Sequence, residues 1–248
     1  MTLEVSGVTK RFGGISAVDD VSFAVREGLI TALIGPNGSG KTVTFNLITG
    51  ISRLDGGQIR FRGERIDGLR PDRIALRGIA RTFQHLKVFP EFTVTENLAL
   101  VRQARPLGPS LGSLLPGRTS VPEASDTEEL LAFVGLVGKR DHLAGSLSYG
   151  QQKLLALVGL LTMEPRASLI LLDEPMAGIN PTLITTLVEL IRTHRARGRT
   201  FLIIEHDMGV VMDLCERLIV LDHGRKIAEG RPEEIRANPD VIEAYFGR

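Results

Sequence analysis

No stretch of this 248-residue chain comes near the roughly 18 uninterrupted apolar residues that a membrane-spanning helix needs. The longest apolar runs, around Leu154 to Met163 and Leu169 to Leu172, are too short, so any membrane association is expected to come through another protein. The opening MTLEVSGVTKRF has no apolar stretch behind a basic start and is not expected to act as a secretory signal. Cysteine is represented once, by Cys215, which excludes an internal disulfide. No paired Cys or His spacing suggests a zinc site, and a reducing, intracellular compartment is the expectation. An excess of one charge is missing too. Thirty Lys and Arg face 29 Asp and Glu, so no overall positive field draws the chain to nucleic acid, and no nucleic-acid partner is expected. Internal repeats and heptad runs are absent, excluding solenoids and long coiled coils.

What is present is a 43% hydrophobic composition, enough for a substantial core in one large domain or two small ones. Val21, Phe23 and Val25, then Ile59 and Phe61, alternate with polar or small residues, so the first seventy residues are expected to form mainly an antiparallel sheet. Within them Leu29 to Ile34 is an apolar run that stops at a glycine-rich turn and passes into the helix-like TVTFNLITG. Residues 103 to 125, rich in proline, glycine and serine without a period, are expected to be irregular. Thr127 to Val137 and Gln151 to Met163 carry helical spacing, within a mainly helical section from about Thr93 to Met163. Ser168 to Pro175, Thr200 to Asp207 and Arg217 to Gly224 hold apolar runs typical of buried parallel strands, the first two separated by a helix from about Pro181 to Arg195. The fold class expected is an α/β nucleotide-binding core, with a mostly parallel sheet and flanking helices, an N-terminal antiparallel β part and an inserted helical part. The core would cover about 1–92 and 164–248, and the helical insert about 93–163, within a single 1–248 domain.

The strongest chemical signal is Gly35-Pro36-Asn37-Gly38-Ser39-Gly40-Lys41-Thr42, which satisfies G-x-x-x-x-G-K-[ST] with a strand before it and a helix after it. Glycines let successive backbone N–H groups turn inward around phosphate oxygens, and the helix that follows adds the positive end of its dipole. Lys41 would reach the terminal phosphates, and the Thr42 hydroxyl would hold magnesium. A second element supplies hydrolysis. In Leu169-Ile170-Leu171-Leu172-Asp173-Glu174 a buried strand delivers two adjacent carboxylates at its C-terminal end, where ligands of open α/β sheets collect. Asp173 is placed to bind magnesium and Glu174 to polarise the attacking water as a general base. A third element, Leu147-Ser148-Tyr149-Gly150-Gln151-Gln152, stands before an apolar helix. Ser148 is a good N-cap and Gly150 permits a close backbone approach, so a plain helix cap explains this segment as well as an anion site does.

Together, in this order and spacing, these three elements resemble the nucleotide-binding subunit of ATP-binding-cassette (ABC) proteins, over nearly the whole chain. The resemblance implies ATP and Mg2+ as cofactors, held by Gly35 to Thr42 and extending to Val43. It implies that Phe12 stacks on adenine, that Gln84 sits near magnesium and the water, and that His206 is the switch histidine at the terminal phosphate. It also implies a head-to-tail ATP sandwich with a second ATPase subunit, a related chain or a second copy, in which Ser148, Gly150 and Gln151 of one cover the nucleotide of the other. Within the family, GIARTFQHLKVFPEFTVTENL, LSYGQQ, LLDEPMAGINP, EHDM and VIEAYFG resemble ATPases of branched-chain amino-acid importers. Relatives for urea, amides or aromatic acids and a lipopolysaccharide exporter share similar text. The implied partners are two transmembrane permeases, and indirectly an extracytoplasmic solute-binding protein. The implied location is the cytoplasmic face of the inner membrane. Val88, Phe89 and Phe92 fall where the family docks a short permease helix.

Two residues depart from the wider family pattern: Tyr149 replaces the first glycine of the signature, and Asn180 an aspartate beyond the second carboxylate. Rival readings lack their marks. A GTPase would carry an Asn-Lys-x-Asp motif, and ABC ATPases of translation, chromosomes or repair carry a second cassette, coiled coils or zinc cysteines. None of these is in the sequence.

Overall fold

The computed structural model describes residues 1–82, 88–103, 124–162 and 168–247, except the side chains of residues 102, 103, 124–126 and 246. The chain opens with β1 (Leu3–Phe12), β2 (Ile15–Val25) and β3 (Ile30–Ile34), then α1 (Lys41–Ile48), β4 (Gly56–Phe61) and β5 (Glu64–Arg65). An antiparallel sheet forms in the order β2-β1-β4-β5. Its hairpin between β4 and β5 turns on Arg62 and Gly63, both at positive φ, the handedness that matches strand twist in two-residue loops. The strand β3 does not join this sheet. Although it lies inside the stretch expected to be antiparallel, it pairs in parallel with strands more than 160 residues later in the chain. Its five residues are all buried, and only a sheet covered on both faces accommodates such a run.

The chain continues through α2 (Pro71–Leu76), β6 (Ile79–Arg81), α3 (Val94–Gln103), α4 (Ala124–Phe133) and α5 (Tyr149–Leu161). Then come β7 (Leu169–Asp173), α6 (Pro181–Ala196), β8 (Thr200–Ile204), α7 (Met208–Leu214), β9 (Arg217–Asp222), β10 (Arg225–Gly230), α8 (Pro232–Arg236) and α9 (Pro239–Phe246). The second sheet runs β10-β9-β3-β8-β7-β6, parallel except for β10 on β9.

Period two along the central strands divides their side chains between two cores. Ile170 and Leu172, Phe201 and Ile203, Leu218 and Val220 face the core shared with α3, α5, α6 and α7. Leu169 and Leu171, Leu202 and Ile204, Ile219 and Leu221 face the core closed by the antiparallel sheet and α1. The sheet is therefore a partition between two apolar layers, and its carboxyl edge is where polar chemistry collects.

Several boundaries differ from expectation. Gln103 closes α3, while Ala124 and Ser125 open α4; the rest of the stretch expected to be irregular lies outside the described residues. The helix expected to run to Val137 ends at Phe133 and a separate 3-10 turn spans Val137–Lys139, because Gly135 takes positive φ and ends the α-helical run. The short α2 and the terminal α8 and α9 were not legible as helices. Each begins with proline, which is preorganised for a first helical position. Cys215 is buried, and burial, then Glu205 and Glu216, pushes its thiol up to about 12, so it behaves as a core residue rather than a nucleophile.

His194, near the end of α6, is 2% exposed. Burial, with help from Arg197, pushes its imidazole down to about 4 from 6.5. Below pH 6.5 the unfolded chain takes up a proton that the folded chain refuses, so His194 subtracts stability as pH falls towards 4. The expected loss between pH 7 and pH 4 is at most about 3 kcal/mol. Urea unfolding across that range should reveal it as the difference in slope between the wild type and His194→Phe.

Candidate functional site

The loop between β3 and α1 is built by backbone approaches that only glycine allows. Gly35 and Gly40 lie at φ +145 and +99. A Cβ on Gly35 would stand 2.0 Å from the Leu221 carbonyl oxygen, and one on Gly40 2.5 Å from that of Ala17. The turn between β9 and β10 braces the loop from outside, Gly224 N–H donating to the Ser39 carbonyl at 3.2 Å. Helix α1 starts at Gly40 with no side-chain cap, leaving the N–H groups of its first turn aimed into the loop. Thr42 and Val43 lie in that turn, half-buried, and Val43 also packs on the core under the antiparallel sheet. Asn37 and Gly38 form the exposed rim, Pro36 lies partly covered beside them, and Ser39 is buried.

Lys41 is 6% exposed. Its ammonium donates to the carbonyls of Gly35 and Pro36, both at 2.7 Å. Burial pushes its pKa down, and the charges of Glu174 and Asp173 push the other way. Those carboxylates are delivered by register: Asp173 of β7 pairs with Ile204 of β8, which pairs with Leu33 of β3, so Asp173 stands level with the start of the loop.

The two adjacent acids face different environments. The Asp173 side chain is fully buried and accepts from Arg81 Nη2 at 2.8 Å through Oδ2; its Oδ1 is buried without a hydrogen-bond partner. Glu174 takes φ +49, an uncommon conformation for a non-glycine residue, found where the surroundings over-determine it. Its Oε1 lies 2.7 Å from His206 Nε2, and its own N–H donates to the Ile204 carbonyl at 2.9 Å.

The unpartnered Oδ1 of Asp173 and the Thr42 hydroxyl fit a hard divalent cation. Mg2+ typically takes one or two protein oxygens and completes its shell with phosphates and water.

Phe12 ends β1 beside the Gly13-Gly14 turn, 50% exposed, with the Lys10 ammonium 5.3 Å from its ring centroid. It is not a core residue. It pairs with Ile15, next to the Ser16-Ala17 carbonyls that approach Gly224 and Gly40, which sets an exposed ring near the loop. Gln84 lies outside the described residues.

Ser148, Gly150 and Gln151 are not gathered at this loop. Ser148 Oγ accepts from Gln151 N–H at 3.3 Å and Gln151 Oε1 accepts from Ser148 N–H at 3.2 Å, a reciprocal capping box. Gly150 does serve a close approach, but to side chains: a Cβ there would lie 2.6 Å from Leu183 Cδ1 and 3.2 Å from Ile179 Cγ2. Asn180 caps α6, its Oδ1 accepting from Leu183 N–H at 3.0 Å.

Three residues of the site carried no role in the sequence. Arg81 Nη1 bonds Asn46 Oδ1 at 2.8 Å and Thr49 Oγ1 at 3.2 Å, and the guanidinium stacks 5.4 Å from the Phe45 ring, so one side chain ties α1 to Asp173. Glu205, 5% exposed, accepts from Met176 N–H at 2.7 Å and His206 N–H at 2.9 Å, joining the segments after β7 and β8. Tyr245 of α9 approaches the Gly35 backbone, and burial pushes its phenol up to about 12. An arginine three positions before a glutamine carries no motif of its own, and its partners are 35 and 92 residues distant in sequence.

Known proteins align with this architecture. The family profile described as ABC transporter matches residues 18–177, and one described as branched-chain amino acid ATP-binding cassette transporter matches residues 225–248. The high-affinity branched-chain amino acid transport ATP-binding protein BraF of Pseudomonas aeruginosa is 43% identical, covering 99% of this chain and 97% of its own. LivG of Escherichia coli, a high-affinity branched-chain amino acid transport ATP-binding protein, is 42% identical over the same shares. A solved ADP conformation of an ATP-binding cassette from an ABC transporter superposes with a TM-score of 0.84 at 34% identity, covering 100% of this chain and 99% of that one. The chain belongs to the ABC transporter family, as an ATP-binding ATPase subunit.

Arg81→Ala is expected to cost about 3–5 kcal/mol in urea unfolding, because it strands the buried Asp173 carboxylate. Arg81→Lys should recover only part of this, since a single ammonium cannot span Asn46, Thr49 and Asp173 as the planar guanidinium does. Equal stability of Arg81→Ala and wild type would refute the strut.

Proposed function

We propose that this ATPase subunit powers uptake of branched-chain amino acids through separate permeases, hydrolysing ATP with Mg2+ at the loop of Gly35 to Val43. The observation that carries the chemistry is the divergence of Asp173 and Glu174. Left-handed φ at Glu174 turns its carboxylate to His206, while Asp173 stays buried on Arg81. One acid is a fixed ligand and the other is available to a water.

The phosphates are held by the α1 N-terminus, the loop N–H groups and Lys41, whose ammonium exchanges the carbonyls of Gly35 and Pro36 for phosphate oxygens. Phe12 offers its exposed face to the adenine. Thr42 and Asp173 would hold Mg2+, which would neutralise phosphate charge; Gln84, outside the described residues, is assigned to the same task by the family resemblance. Glu174 takes the proton of the attacking water, and His206, hydrogen-bonded to it, fixes the carboxylate and meets the terminal phosphate. The helical part at about 93–163 presents Ser148, Gly150 and Gln151 to the nucleotide of a second ATPase subunit. In this reading the capping box presets their backbone.

The solute assignment rests on full-length similarity to BraF and LivG and on the profile match at 225–248. Two permeases and an extracytoplasmic binding protein would complete the system, with this subunit peripheral at the cytoplasmic face of the inner membrane. No helix among the described residues is long and apolar enough to cross a membrane. Phe89 and Phe92, 50% and 41% exposed with rings 5.8 Å apart edge to face, and Leu143, brought beside them by the Thr93–Leu143 bridge, form the surface for a permease helix. Val88 instead packs partly on the core.

Glu174→Gln should lower kcat by about 10²–10⁴-fold while ATP binding is kept, and should accumulate a dimer in ATP and Mg2+ by size-exclusion light scattering. Wild-type turnover in that variant would sink the catalytic assignment. In reconstituted transporter, Phe89→Asp should abolish solute uptake with ATP binding intact. Lost ATP binding would instead mark Phe89 as structural.

A further inference from the structure

Tyr149, the residue that departs from the wider signature, stands four positions before Lys153 on α5, which puts the two on one face of the helix. The Lys153 ammonium lies 5.3 Å from the Tyr149 ring centroid, within cation–π range. Among the described residues that ammonium has no hydrogen-bonded carboxylate. It donates to two backbone carbonyls in the segment after β7, Glu174 at 3.0 Å and Ala177 at 2.6 Å. The Tyr149 ring covers the next turn of the same segment, where a Cβ on Gly178 would meet Tyr149 Cε1 at 3.3 Å. Gly150 then seats against Ile179 and Leu183. The first turns of α5 and the segment from Glu174 to Ile179 are thus joined by a cation–carbonyl contact, an aromatic lid and a glycine contact in succession.

The Lys153 contact bears on catalysis through the Glu174 backbone. Glu174 holds positive φ, and its peptide units are clamped from both sides. Its N–H is tied to Ile204 and its carbonyl to Lys153, with the side chain against His206. Release of the carbonyl removes one of the restraints that hold Glu174 at positive φ, the torsion that sets the direction of its side chain from the anchored N–H. Burial pushes the Lys153 pKa down, while Glu205 and Glu174 push it up. The ammonium is therefore partly desolvated, and a partly desolvated donor forms stronger bonds to carbonyls.

We propose that Lys153, aided by Tyr149, is a positioning residue that latches the helix presenting Ser148 and Gly150 to the loop carrying Glu174, so that the seat of the helix bears on the direction of the Glu174 carboxylate. Resting on the proposed sandwich, this makes each subunit a lever. The segment that meets the partner's nucleotide is mechanically tied to the carboxylate that serves its own, and closure on one ATP sets the geometry of hydrolysis at the other.

The full-length chain tests this with Lys153→Met, Lys153→Arg and Tyr149→Ala, Glu174→Gln serving as reference. Three quantities are read: affinity for a fluorescent ATP analogue, steady-state kcat, and hydrogen exchange of the Met176 to Gly178 amides. Lys153→Met is expected to lower kcat about tenfold or more with nucleotide affinity within about twofold of wild type, and to speed exchange at those amides. Lys153→Arg should restore most of both, and Tyr149→Ala should fall between. Wild-type kcat in Lys153→Met beside an inactive Glu174→Gln would overturn the latch and leave the proposed function standing. Affinity and kcat falling together, unchanged amide exchange, or failure of Arg to restore either would also overturn it. Wild-type turnover in Glu174→Gln would remove the proposed function and this inference together.

Discussion

Everything else in the molecule depends on a convergence of backbones at the phosphate loop. Gly35 lies against the Leu221 carbonyl of β9, Gly40 against the Ala17 carbonyl of β2, and Gly224 closes over Ser39 from the β9–β10 turn. The antiparallel and parallel sheets meet there, with Asp19 N–H donating to the Gly224 carbonyl and Arg225 paired to Asp19. A side chain at Gly35 or Gly40 would hold the sheets apart as well as distort the loop, since at these distances the backbone itself would have to shift. The same contact shapes the loop proposed to hold phosphate and sets how the two layers stack.

A second constraint is electrostatic. Lys41, Asp173 and Glu205 are nearly inaccessible to water, where an unpaired charge is expensive. Each is answered locally: Lys41 by loop carbonyls and the nearby carboxylates, Asp173 by the Arg81 fork, Glu205 by the N–H groups of Met176 and His206. These partners come from different strand ends, so satisfying the charges also locks the strand ends together. The polar groups proposed to perform chemistry are among those that fix the loops carrying them. Glu174 is the exception. It is more exposed, conformationally strained and bonded to His206, as suits the group proposed to exchange partners during the reaction.

The two departures from the common family pattern have structural roles. Asn180 retains the capping function of an aspartate, since its Oδ1 accepts from Leu183 N–H and an N-cap needs an oxygen acceptor rather than a charge. Tyr149 covers Gly178 and lies beneath the Lys153 ammonium, adding contact area at a helix start where glycine would add none. Both residues lie at the junction between α5, the segment after β7, and α6.

Much of this was legible in the amino-acid order, because the features involved are local. Strand, glycine loop and helix at 29–48 follow from apolar run and turn chemistry; the paired acids at the end of an apolar strand announce a sheet edge; Ser148 is a recognisable cap. Less legible was whatever depends on which strands become neighbours. Hydrophobic periodicity marks β3 as buried but cannot say that it leaves the antiparallel sheet to lie between β8 and β9, since strand pairing is a long-range choice made by the cores on both faces. For the same reason Arg81, Glu205, Lys153 and Tyr245 carried no signal: their partners are backbone groups or side chains that are remote in sequence or exposed only by a particular turn. The sequence by itself determined the chemical groups and the local shapes that present them. Only the tertiary structure decided which of those groups share a buried space, and there burial, by demanding a partner for every charge and carbonyl, turned a set of motifs into a site.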